Sequence, residues 1–355
     1  MNDRIKKVLS NMEKAGLDQI LVSAPASIKY LTGLSVGPGE RLCALLLNKD
    51  GQVTLHGNRL FALEKGADFD LVEHDDTDDC IAVLEKDIKA GKLGVDKVWP
   101  SGFAVRLMDM RPDVKLALGS APVDDARMLK TADEIEKMRL SSLANDRATE
   151  KALMGMTIGE KETDAAARYL ACAKEQGASG CSFPALICFG PGAAEPHHDT
   201  AEVELKKGDA VIMDVGLLLD GYCSDMTRTC FMGSMTDEQK KIYDLVRAAN
   251  EAGRAAAKPG VPLCEIDKAA RDVIAKAGYG DYFLHRTGHG IGLEVHEPPD
   301  VSATSRQIAQ PGMIFSVEPG IYLKGKFGVR IEDLVAITEN GAITLNQMHR
   351  EPLIL

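Results

Sequence analysis

Long apolar stretches are missing from this sequence. No uncharged run of about 18 apolar residues occurs, and the amino terminus, MNDRIKKVLSNMEKAGLDQI, carries charges where a secretory signal would have its apolar core. These absences argue against both a membrane-spanning helix and a signal peptide. We therefore expect a cytoplasmic protein that has no membrane partner.

Paired cysteines of the C-x-x-C type are also absent, and there is no dense cysteine framework. The chain has eight scattered cysteines: Cys43, Cys80, Cys172, Cys181, Cys188, Cys223, Cys230 and Cys264. This usage is typical of reduced intracellular thiols. The sequence therefore predicts no structural disulfide.

The chain lacks an excess of positive charge. Lysine and arginine total 42 against 53 acidic residues, which gives a formal net charge of -11. Nucleic acids and anionic membranes both favour clustered basic residues, so we expect neither as a main partner. A small or neutral partner fits this charge better.

Apolar residues, by contrast, make up 45% of the 355 residues, which is enough for two buried cores. Alternating helical and extended segments predict an α/β domain over residues 1–123, followed by a polar connector at 124–131. A second domain is predicted over 124–355, where a capping box at Thr131–Glu134 begins a helix that ends near Met154. Further helices are predicted at 161–175, 237–257 and 264–277.

The segment 208–231, GDAVIMDVGLLLDGYCSDMTRTCF, has the pattern of a β-hairpin. Residues 210–219 and 222–231 are predicted as its strands, because both are rich in apolar and β-branched residues. Asp220-Gly221 is a preferred two-residue turn between such strands. The hairpin is otherwise apolar, so the two further aspartates within it need an explanation.

The register of this hairpin predicts where the two aspartates lie. If Leu219 pairs with Tyr222, Asp214 and Asp225 project from one sheet face as diagonal neighbours, roughly 7 Å apart at the backbone. Like charges on an apolar sheet repel each other, and a metal cation between them would relieve that repulsion. For the hairpin alone, a pair of solvated aspartates at a sheet rim is an equal alternative.

A second segment repeats the pattern of the first. GDAVIMDVG matches GMIFSVEPG, so that Gly208, Asp214 and Gly216 correspond to Gly312, Glu318 and Gly320. Each copy also supplies a second acid on its returning strand, Asp225 in the first and Glu332 in the second. Three matched positions can arise by chance, but the shared acids favour a pseudo-symmetric domain whose halves face one site.

A glycine-rich loop, HRTGHGIGLEVHEPP at 285–299, lies between the two hairpins. Its glycines allow backbone and imidazole to approach a partner closely. A single histidine in such a loop is more often a hydrogen-bonded core residue than a ligand. Together with four strand-borne carboxylates, however, the loop favours a metal site.

The motifs TGHGIGLEVHEPP, VEPG and VRIED, after MDVG and YCSDMTRT, resemble the M24-type "pita-bread" metallopeptidase family. That family includes methionine aminopeptidase, aminopeptidase P and Xaa-Pro dipeptidase (prolidase), and the similarity covers roughly residues 131–355. The first domain, with IKYLTG and the connector RMLK, is similar to the prolidase and creatinase branch. The resemblance implies a creatinase-like α/β domain, then a pseudo-symmetric domain in which helices cover a curved antiparallel sheet.

A dinuclear metal site is part of what the resemblance implies. Its five ligands would be Asp214, Asp225, His289, Glu318 and Glu332, with Asp225 and Glu332 bridging both ions. This oxygen-rich set suits two divalent ions, manganese first, with cobalt, zinc or iron as alternatives. Two ions about 3.5 to 4 Å apart lower the pKa of a shared water and polarise a carbonyl, which favours amide hydrolysis.

The resemblance also implies catalytic residues around the ions. Glu318 would take and return a proton, while His197 and His296 would stabilise a tetrahedral oxyanion. His198 follows His197 directly and is an alternative for that role. Arg330 would hold a ligand carboxylate or contact the substrate, with a surface ion pair as the other interpretation.

The implied reaction is cleavage of the bond before proline in a dipeptide or short peptide, by a homodimer whose first domain covers the active site. Dipeptidase and aminopeptidase P activities both remain open. Hydrolysis of ectoine and cleavage of dimethylsulfoniopropionate by relatives with this fold are the alternative. Creatinase chemistry and a non-enzymatic binding role are disfavoured because all five ligand positions are intact.

Overall fold

The structure of the protein is a computed structural model that describes residues 1–196 and 198–355. The chain divides into two compact units, Met1–Arg127 and Met128–Leu355. Within the described ranges, no helix is both long and apolar enough to cross a membrane.

The first unit contains helices and one six-stranded sheet that has both parallel and antiparallel strand pairs. Its helices are α1 (Asp3–Lys14), α2 (Pro25–Thr32), α3 (Cys80–Leu84), α4 (Ser101–Met110) and α5 (Ala121–Met128). Its strands are β1 (Gln19–Val22), β2 (Cys43–Asn48), β3 (Val53–Asn58), β4 (Asp70–His74), β5 (Gly91–Val95) and β6 (Val114–Leu118). They lie in the order β4-β3-β2-β1-β5-β6, with β1 antiparallel to β2 and parallel to β5. Leu21, Leu46 and Leu93 of this sheet pack with Leu107 of α4 in the core.

Residues 121–128 form helix α5, whereas the sequence predicts a polar connector from 124. Asp124, Asp125 and Arg127 give this segment its polar composition. Val123 and Ala126 are nonetheless fully buried, because they lie on one face of the helix. Counting charges therefore missed an amphipathic helix.

Four helices of the second unit begin within one residue of their predicted starts. They are α6 (Ala132–Met154), α7 (Glu162–Glu175), α8 (Asp237–Ala256) and α9 (Leu263–Lys276). The capping box of α6 is present: the Thr131 hydroxyl accepts from the Glu134 backbone N–H, and the Glu134 carboxylate accepts from that of Thr131. α8 starts with the same device, between Thr236 and Gln239.

The strands of the second unit form two main sheets. In chain order they are β7 (Gly180–Cys181), β8 (Leu186–Phe189), β9 (Ala210–Val215), β10 (Leu217–Leu219), β11 (Tyr222–Cys223), β12 (Met226–Phe231), β13 (Gly288–Gly290), β14 (Glu297–Val301), β15 (Ile314–Val317), β16 (Gly320–Leu323), β17 (Phe327–Arg330), β18 (Asp333–Thr338), β19 (Gly341–Thr344) and β20 (Leu353–Ile354). One sheet has the order β20-β12-β9-β8 and the other β14-β13-β15-β18-β19. Smaller sheets are β11-β10-β7 and β16-β17.

The two main sheets confirm the predicted pseudo-symmetry. The run β8-β9-β12 in one corresponds to β13-β15-β18 in the other, and β9 and β15 carry the matching sequence motifs. α6 and α7 cover the first sheet, where Tyr169 packs against Met213. α9 covers the second sheet in the same way, since its Ile266 lies in one apolar cluster with Phe315 of β15. The helices therefore bury one face of each sheet and leave the other face for a site.

The predicted register of the first hairpin is confirmed. Leu219 pairs with Tyr222, and both turn residues have positive φ, 50° at Asp220 and 80° at Gly221. The strands are, however, interrupted: Gly216 separates β9 from β10, and residues 224–225 separate β11 from β12. Asp225 therefore lies in a break between strands instead of within one.

Candidate active site

A cavity of about 440 Å³ lies in the second unit. The predicted site residues that line it are Asp214, Asp225, His289, His296, Glu318, Arg330 and Glu332. His197, the remaining one, lies outside the described residues. Folding thus gathers side chains that are scattered over more than a hundred positions of the sequence.

Some of the predicted ligands lie within strands, and others lie directly beside a strand end. Asp214 is on β9 and His289 on β13, while Glu318 directly follows β15 and Glu332 lies between β17 and β18. The Glu332 N–H donates to the Thr227 carbonyl over 3.1 Å, which joins the two halves of the unit at the cavity.

Three of the predicted ligands form a compact group. One donor atom from each of Asp225, His289 and Glu332 lies within 4.8 Å of the other two, and all three residues are buried. Glu318 adjoins them, since its Oε1 lies 3.4 Å from His289 Nε2. Asp214 lines the same cavity. This spacing of one imidazole and several carboxylates is suitable for a cation.

The hydrogen bonds of these carboxylates also fit a metal. Asp214 Oδ1, Asp225 Oδ1 and Glu332 Oε1 are buried and have no hydrogen-bond partner. A buried oxygen without a partner costs free energy, because its water is lost and nothing replaces it. Bound divalent cations would satisfy all three oxygens.

Burial raises the pKa of the clustered acids. The pKa of Asp225 lies well above its ordinary value, first because the carboxyl is desolvated and next because Glu332 and Asp214 repel its charge. Desolvation, followed by Glu318 and Asp214, raises the pKa of Glu332 in the same way. The group is therefore strained without a cation, since carboxylates this close oppose one another's ionisation.

His289 is held in the form that a metal requires. Desolvation is the main cause that lowers its pKa to about 4, so the ring is neutral near pH 7. Its Nδ1 lies 3.1 Å from the Gly290 carbonyl, which can only accept, and this assigns the proton to Nδ1. The lone pair of Nε2 then faces the acids of the cavity.

Arg330 holds one of the predicted ligands and two neighbouring side chains. Its guanidinium donates to Asp214 Oδ2 over 2.6 Å, to the Tyr322 hydroxyl over 2.8 Å and to Thr227 Oγ1 over 3.1 Å. Thr227 in turn donates to Glu332 Oε2 over 2.7 Å. Arg330 is 4% exposed, which rules out the interpretation as a surface ion pair.

His285 is a cavity residue for which sequence reasoning gave no role. Its Nδ1 lies 2.7 Å from the Arg286 carbonyl and its Nε2 lies 2.8 Å from the Tyr322 hydroxyl. Because the carbonyl only accepts, the imidazole carries its proton on Nδ1 and donates it there as a hydrogen bond. Nε2 therefore accepts from the Tyr322 hydroxyl, which itself accepts from Arg330. This chain crosses from the glycine-rich loop to the second hairpin, so no local pattern in the sequence reveals it.

The two other described histidines that the sequence singled out, His296 and His198, differ in their surroundings. The His296 ring packs edge-on against His289, with 4.3 Å between centroids, and lines the cavity. His198 instead contacts Glu162, with Nε2 3.0 Å from Oε2. Among the described residues, His198 is not one of those lining the cavity.

The glycines of the loop are required by close packing. A Cβ on Gly288 would lie 1.8 Å from the Ser316 carbonyl oxygen, and one on Gly290 would lie 2.3 Å from that of Pro298. β13 can therefore fit between β14 and β15 because these two positions have no side chain. His289 lies between them and points into the cavity.

Part of the cavity wall is apolar and part is cationic. Phe183, Pro184 and Leu186 line it, together with Pro196 and Val295. Arg286 also lines it and forms an ion pair with Asp300. An uncharged, compact group and an anionic group can thus both contact this wall.

Comparison with known families gives two matches that together span nearly the whole chain. The model of the family described as "Metallopeptidase family M24" matches residues 136–339. That of the "Creatinase/Prolidase N-terminal domain" matches residues 4–129.

Individual relatives are similar over their full length. A prolidase from Thermococcus sibiricus is 36% identical, with a TM-score of 0.95 and coverage of 100% of both chains. An Xaa-Pro dipeptidase from Bacillus anthracis is 31% identical, with a TM-score of 0.92 and coverage of 99% of both chains. The dipeptidase-named YkvY protein of Bacillus subtilis is 33% identical over 99% of this chain and 100% of its own.

Proposed function

Because the chain belongs to metallopeptidase family M24, we propose that it hydrolyses the peptide bond before proline and releases the amino-terminal residue. The observation that carries this proposal is the cavity in which buried carboxylate oxygens without partners face a neutral imidazole. The similar proteins named as prolidases and Xaa-Pro dipeptidases support the choice of bond.

We assign Asp214, Asp225, His289, Glu318 and Glu332 as the ligands of two divalent ions, manganese first. When bound, such ions would activate water and polarise the scissile carbonyl. The chain itself fixes the ligand geometry: Arg330 orients Asp214, Thr227 orients Glu332, and Ser316 donates to Glu318 Oε1 over 2.9 Å. One oxygen of each of these three carboxylates is thereby held, and Asp214 Oδ1 and Glu332 Oε1 are left for the cations.

Glu318 is the group we assign to proton transfer. Desolvation is the main cause that raises its pKa, and a carboxyl with a raised pKa can accept a proton and return it to the departing amine. His296, whose ring packs edge-on against His289 and lines the cavity, is placed to donate to the oxyanion that develops on the substrate carbonyl. Both side chains belong to the half of the unit that contains β13 and β15.

The wall of the cavity supports the choice of substrate. Phe183, Pro184 and Leu186 offer an apolar surface for a proline ring. Arg286 offers a cation for a carboxylate at the end of a dipeptide, because its ion pair with Asp300 is solvent-exposed and can exchange partners. The second cation, Arg330, is buried and bound to three side chains. We therefore place a dipeptide ahead of a longer peptide. We further propose that the protein is a cytoplasmic homodimer, as the family resemblance implies.

The test is hydrolysis by protein reconstituted separately with manganese, cobalt and zinc. The substrates are Ala-Pro, Ala-Pro-Ala and Ala-Ala, and release of free alanine is measured. We expect Ala-Pro to be cleaved fastest and Ala-Ala least. Cleavage of Ala-Ala in preference to Ala-Pro, or of neither with any metal, would refute the Xaa-Pro proposal.

His197 is assigned as a second oxyanion donor on the family resemblance. Replacing it with alanine should lower kcat by about 100-fold or more, because one preorganised donor is lost, while the bound metal stays constant. Steady-state kinetics and metal analysis of His197→Ala test this. An unchanged kcat would withdraw the assignment.

A further inference from the structure

The segment between the end of β8 and Ala201 contributes to one wall of the cavity. Its Pro196 lines the cavity. The segment also contains a short 3-10 helix at Gly190–Ala194, which packs against β17, because a Cβ on Gly328 would lie 1.9 Å from the Ala193 carbonyl oxygen. The strand that ends in Arg330 is therefore in direct contact with this segment.

A single carboxylate joins the two ends of the segment. Glu162, at the start of α7, accepts from the Phe189 N–H over 2.7 Å and from the Ala201 N–H over 2.9 Å. Its Oε2 also lies 3.0 Å from His198 Nε2. The Glu162 side chain is 0% exposed, so its charge is balanced by these donors and not by bulk water.

His198 completes this arrangement from within the segment. An ionised carboxylate only accepts, so the imidazole must carry its proton on Nε2. The ring also packs against the 3-10 helix, where a Cβ on Gly192 would lie 3.2 Å from its Cε1 atom. The imidazole thus connects the buried acid to the turn that precedes Pro196.

We infer that Glu162 and His198 are positioning residues that fix this cavity wall through their mutual hydrogen bond. The inference rests on the proposed function for its kinetic consequence, though not for the structural one. It also assigns different roles to the two adjacent histidines: His198 holds the wall and does not contact the reacting atoms. The proline-containing part of the substrate is what such a wall would align.

Hydrogen bonds of Thr200 also hold the carboxyl-terminal end of the segment, so variants of Glu162 and His198 should still fold. The Thr200 hydroxyl donates to the Ala185 carbonyl and accepts from the Ile187 N–H, each over 2.9 Å. Neither bond involves Glu162 or His198. Loss of the pair should therefore loosen the wall without detaching the segment.

Hydrogen exchange measures the positioning directly. In Glu162→Gln, the amide nitrogen would face the N–H donors of Ala201 and His198, so at least one bond is lost. We expect backbone exchange over residues 189–196 and 198–201 to accelerate about tenfold in the metal-loaded protein, with exchange in β15 and β18 unchanged. Unchanged exchange over these two ranges would overturn the inference.

Kinetics with Ala-Pro measure the consequence for the substrate. His198→Ala should raise KM by about fivefold or more, while metal content stays constant and kcat changes less than KM. His198→Gln keeps an N–H at the position of Nε2 and should restore KM to near the wild-type value. His349→Ala, at an exposed position, is the matched control and should behave as wild type.

The exchange and kinetic experiments together distinguish a failure of this inference from a failure of the proposed function. A loss of kcat in His198→Ala without a change in KM would show that His198 acts in the chemistry and would refute a positioning role. Equal loss in the alanine and glutamine variants would refute the hydrogen bond as the cause. Should the wild-type protein fail to cleave Ala-Pro, the proposed function fails, yet the exchange experiment still decides whether the pair holds the wall.

Discussion

Two carboxylates that line the cavity each have one oxygen in a hydrogen bond with the protein and one oxygen without a partner. Asp214 Oδ2 accepts from Arg330, and Asp214 Oδ1 has no hydrogen-bond partner. Likewise, Glu332 Oε2 accepts from Thr227, and Glu332 Oε1 has no hydrogen-bond partner. The held oxygen fixes the orientation of the carboxylate, and the other oxygen remains a potential metal ligand. Substitutions at these residues should therefore change metal binding more than folding.

Asp225→Asn tests the central carboxylate. We expect turnover of Ala-Pro and metal affinity to fall at least about 100-fold. Loss of a residue that only hydrogen-bonds a metal ligand already lowers metal affinity or activity by about 10- to 100-fold, and Asp225 is assigned as a ligand itself. The metal-free variant should be no less stable than metal-free wild type, because one of the repelling charges is gone. Metal analysis and thermal unfolding with and without chelator measure both effects.

The matched control is Asp220→Asn in the turn of the same hairpin. Asp220 is exposed and has a positive φ, which asparagine tolerates. It should keep wild-type activity and metal content. Retained turnover in Asp225→Asn would contradict the site assignment.

Arg330→Lys tests whether geometry or charge matters at this position. Lysine keeps the charge but cannot span Asp214, Tyr322 and Thr227 at once, because it lacks the planar fork of the guanidinium. We expect kcat/KM to fall about 10- to 100-fold with the fold intact. Arg247→Lys, at an ion pair with Glu351 on the surface, is the control. Equal activity of the two variants would show that charge alone suffices at Arg330.

At the scale of elements, the site depends on how closely β13 approaches its neighbours. Gly288→Ala would place a methyl group 1.8 Å from the Ser316 carbonyl oxygen in β15, so β13 must move and displace His289. We expect unfolding free energy to fall by about 1–3 kcal/mol, with loss of bound metal. Denaturant unfolding and metal analysis test this prediction.

Gly102→Ala in α4 is the control for this substitution. Nothing lies within 4 Å of a Cβ there, and its φ is not in the left-handed region. We expect equal or slightly higher stability, because alanine restricts the unfolded chain. If Gly288→Ala behaved like Gly102→Ala, close packing of β13 would not be what the glycine provides.

At the scale of the whole molecule, a buried histidine should make the first unit less stable in acid. His56 in the first unit is 0% exposed, and desolvation is the main cause that lowers its pKa to about 4, against an opposing effect of Asp87 and a smaller reinforcing effect of His74. In the unfolded chain its pKa is about 6.5. Between these values the unfolded state binds more protons, so stability falls as pH drops from about 6.5 towards 4, by up to about 1.4 kcal/mol per unit.

Trp99, the single tryptophan, is buried in the first unit, so its fluorescence reports the unfolding of that unit. Urea unfolding followed by this signal should show a smaller loss of stability between neutral pH and about pH 4 in His56→Gln than in wild type. His349→Gln, at an exposed position, should keep the wild-type slope. Identical slopes in all three proteins would show that His56 does not account for the acid sensitivity.

The whole molecule also shows which predictions local sequence could support. Capping boxes at Thr131 and Thr236, and the turn at Asp220-Gly221, involve contacts within a few residues, so their patterns predicted α6, α8 and the first hairpin correctly. The connector prediction was wrong because α5 depends on burial of Val123 and Ala126, which composition does not reveal. Family resemblance extended the prediction to the overall fold.

The sequence by itself determined the capped helices, the hairpin register and the residues that could bind metal, because these follow from short-range periodicity and from recognisable motifs. Tertiary structure alone decided how side chains from different elements meet. The bond of His198 to Glu162 and the chain from Arg330 through Tyr322 to His285 both join segments far apart in sequence. Such contacts depend on packing between elements, and no local pattern encodes that packing.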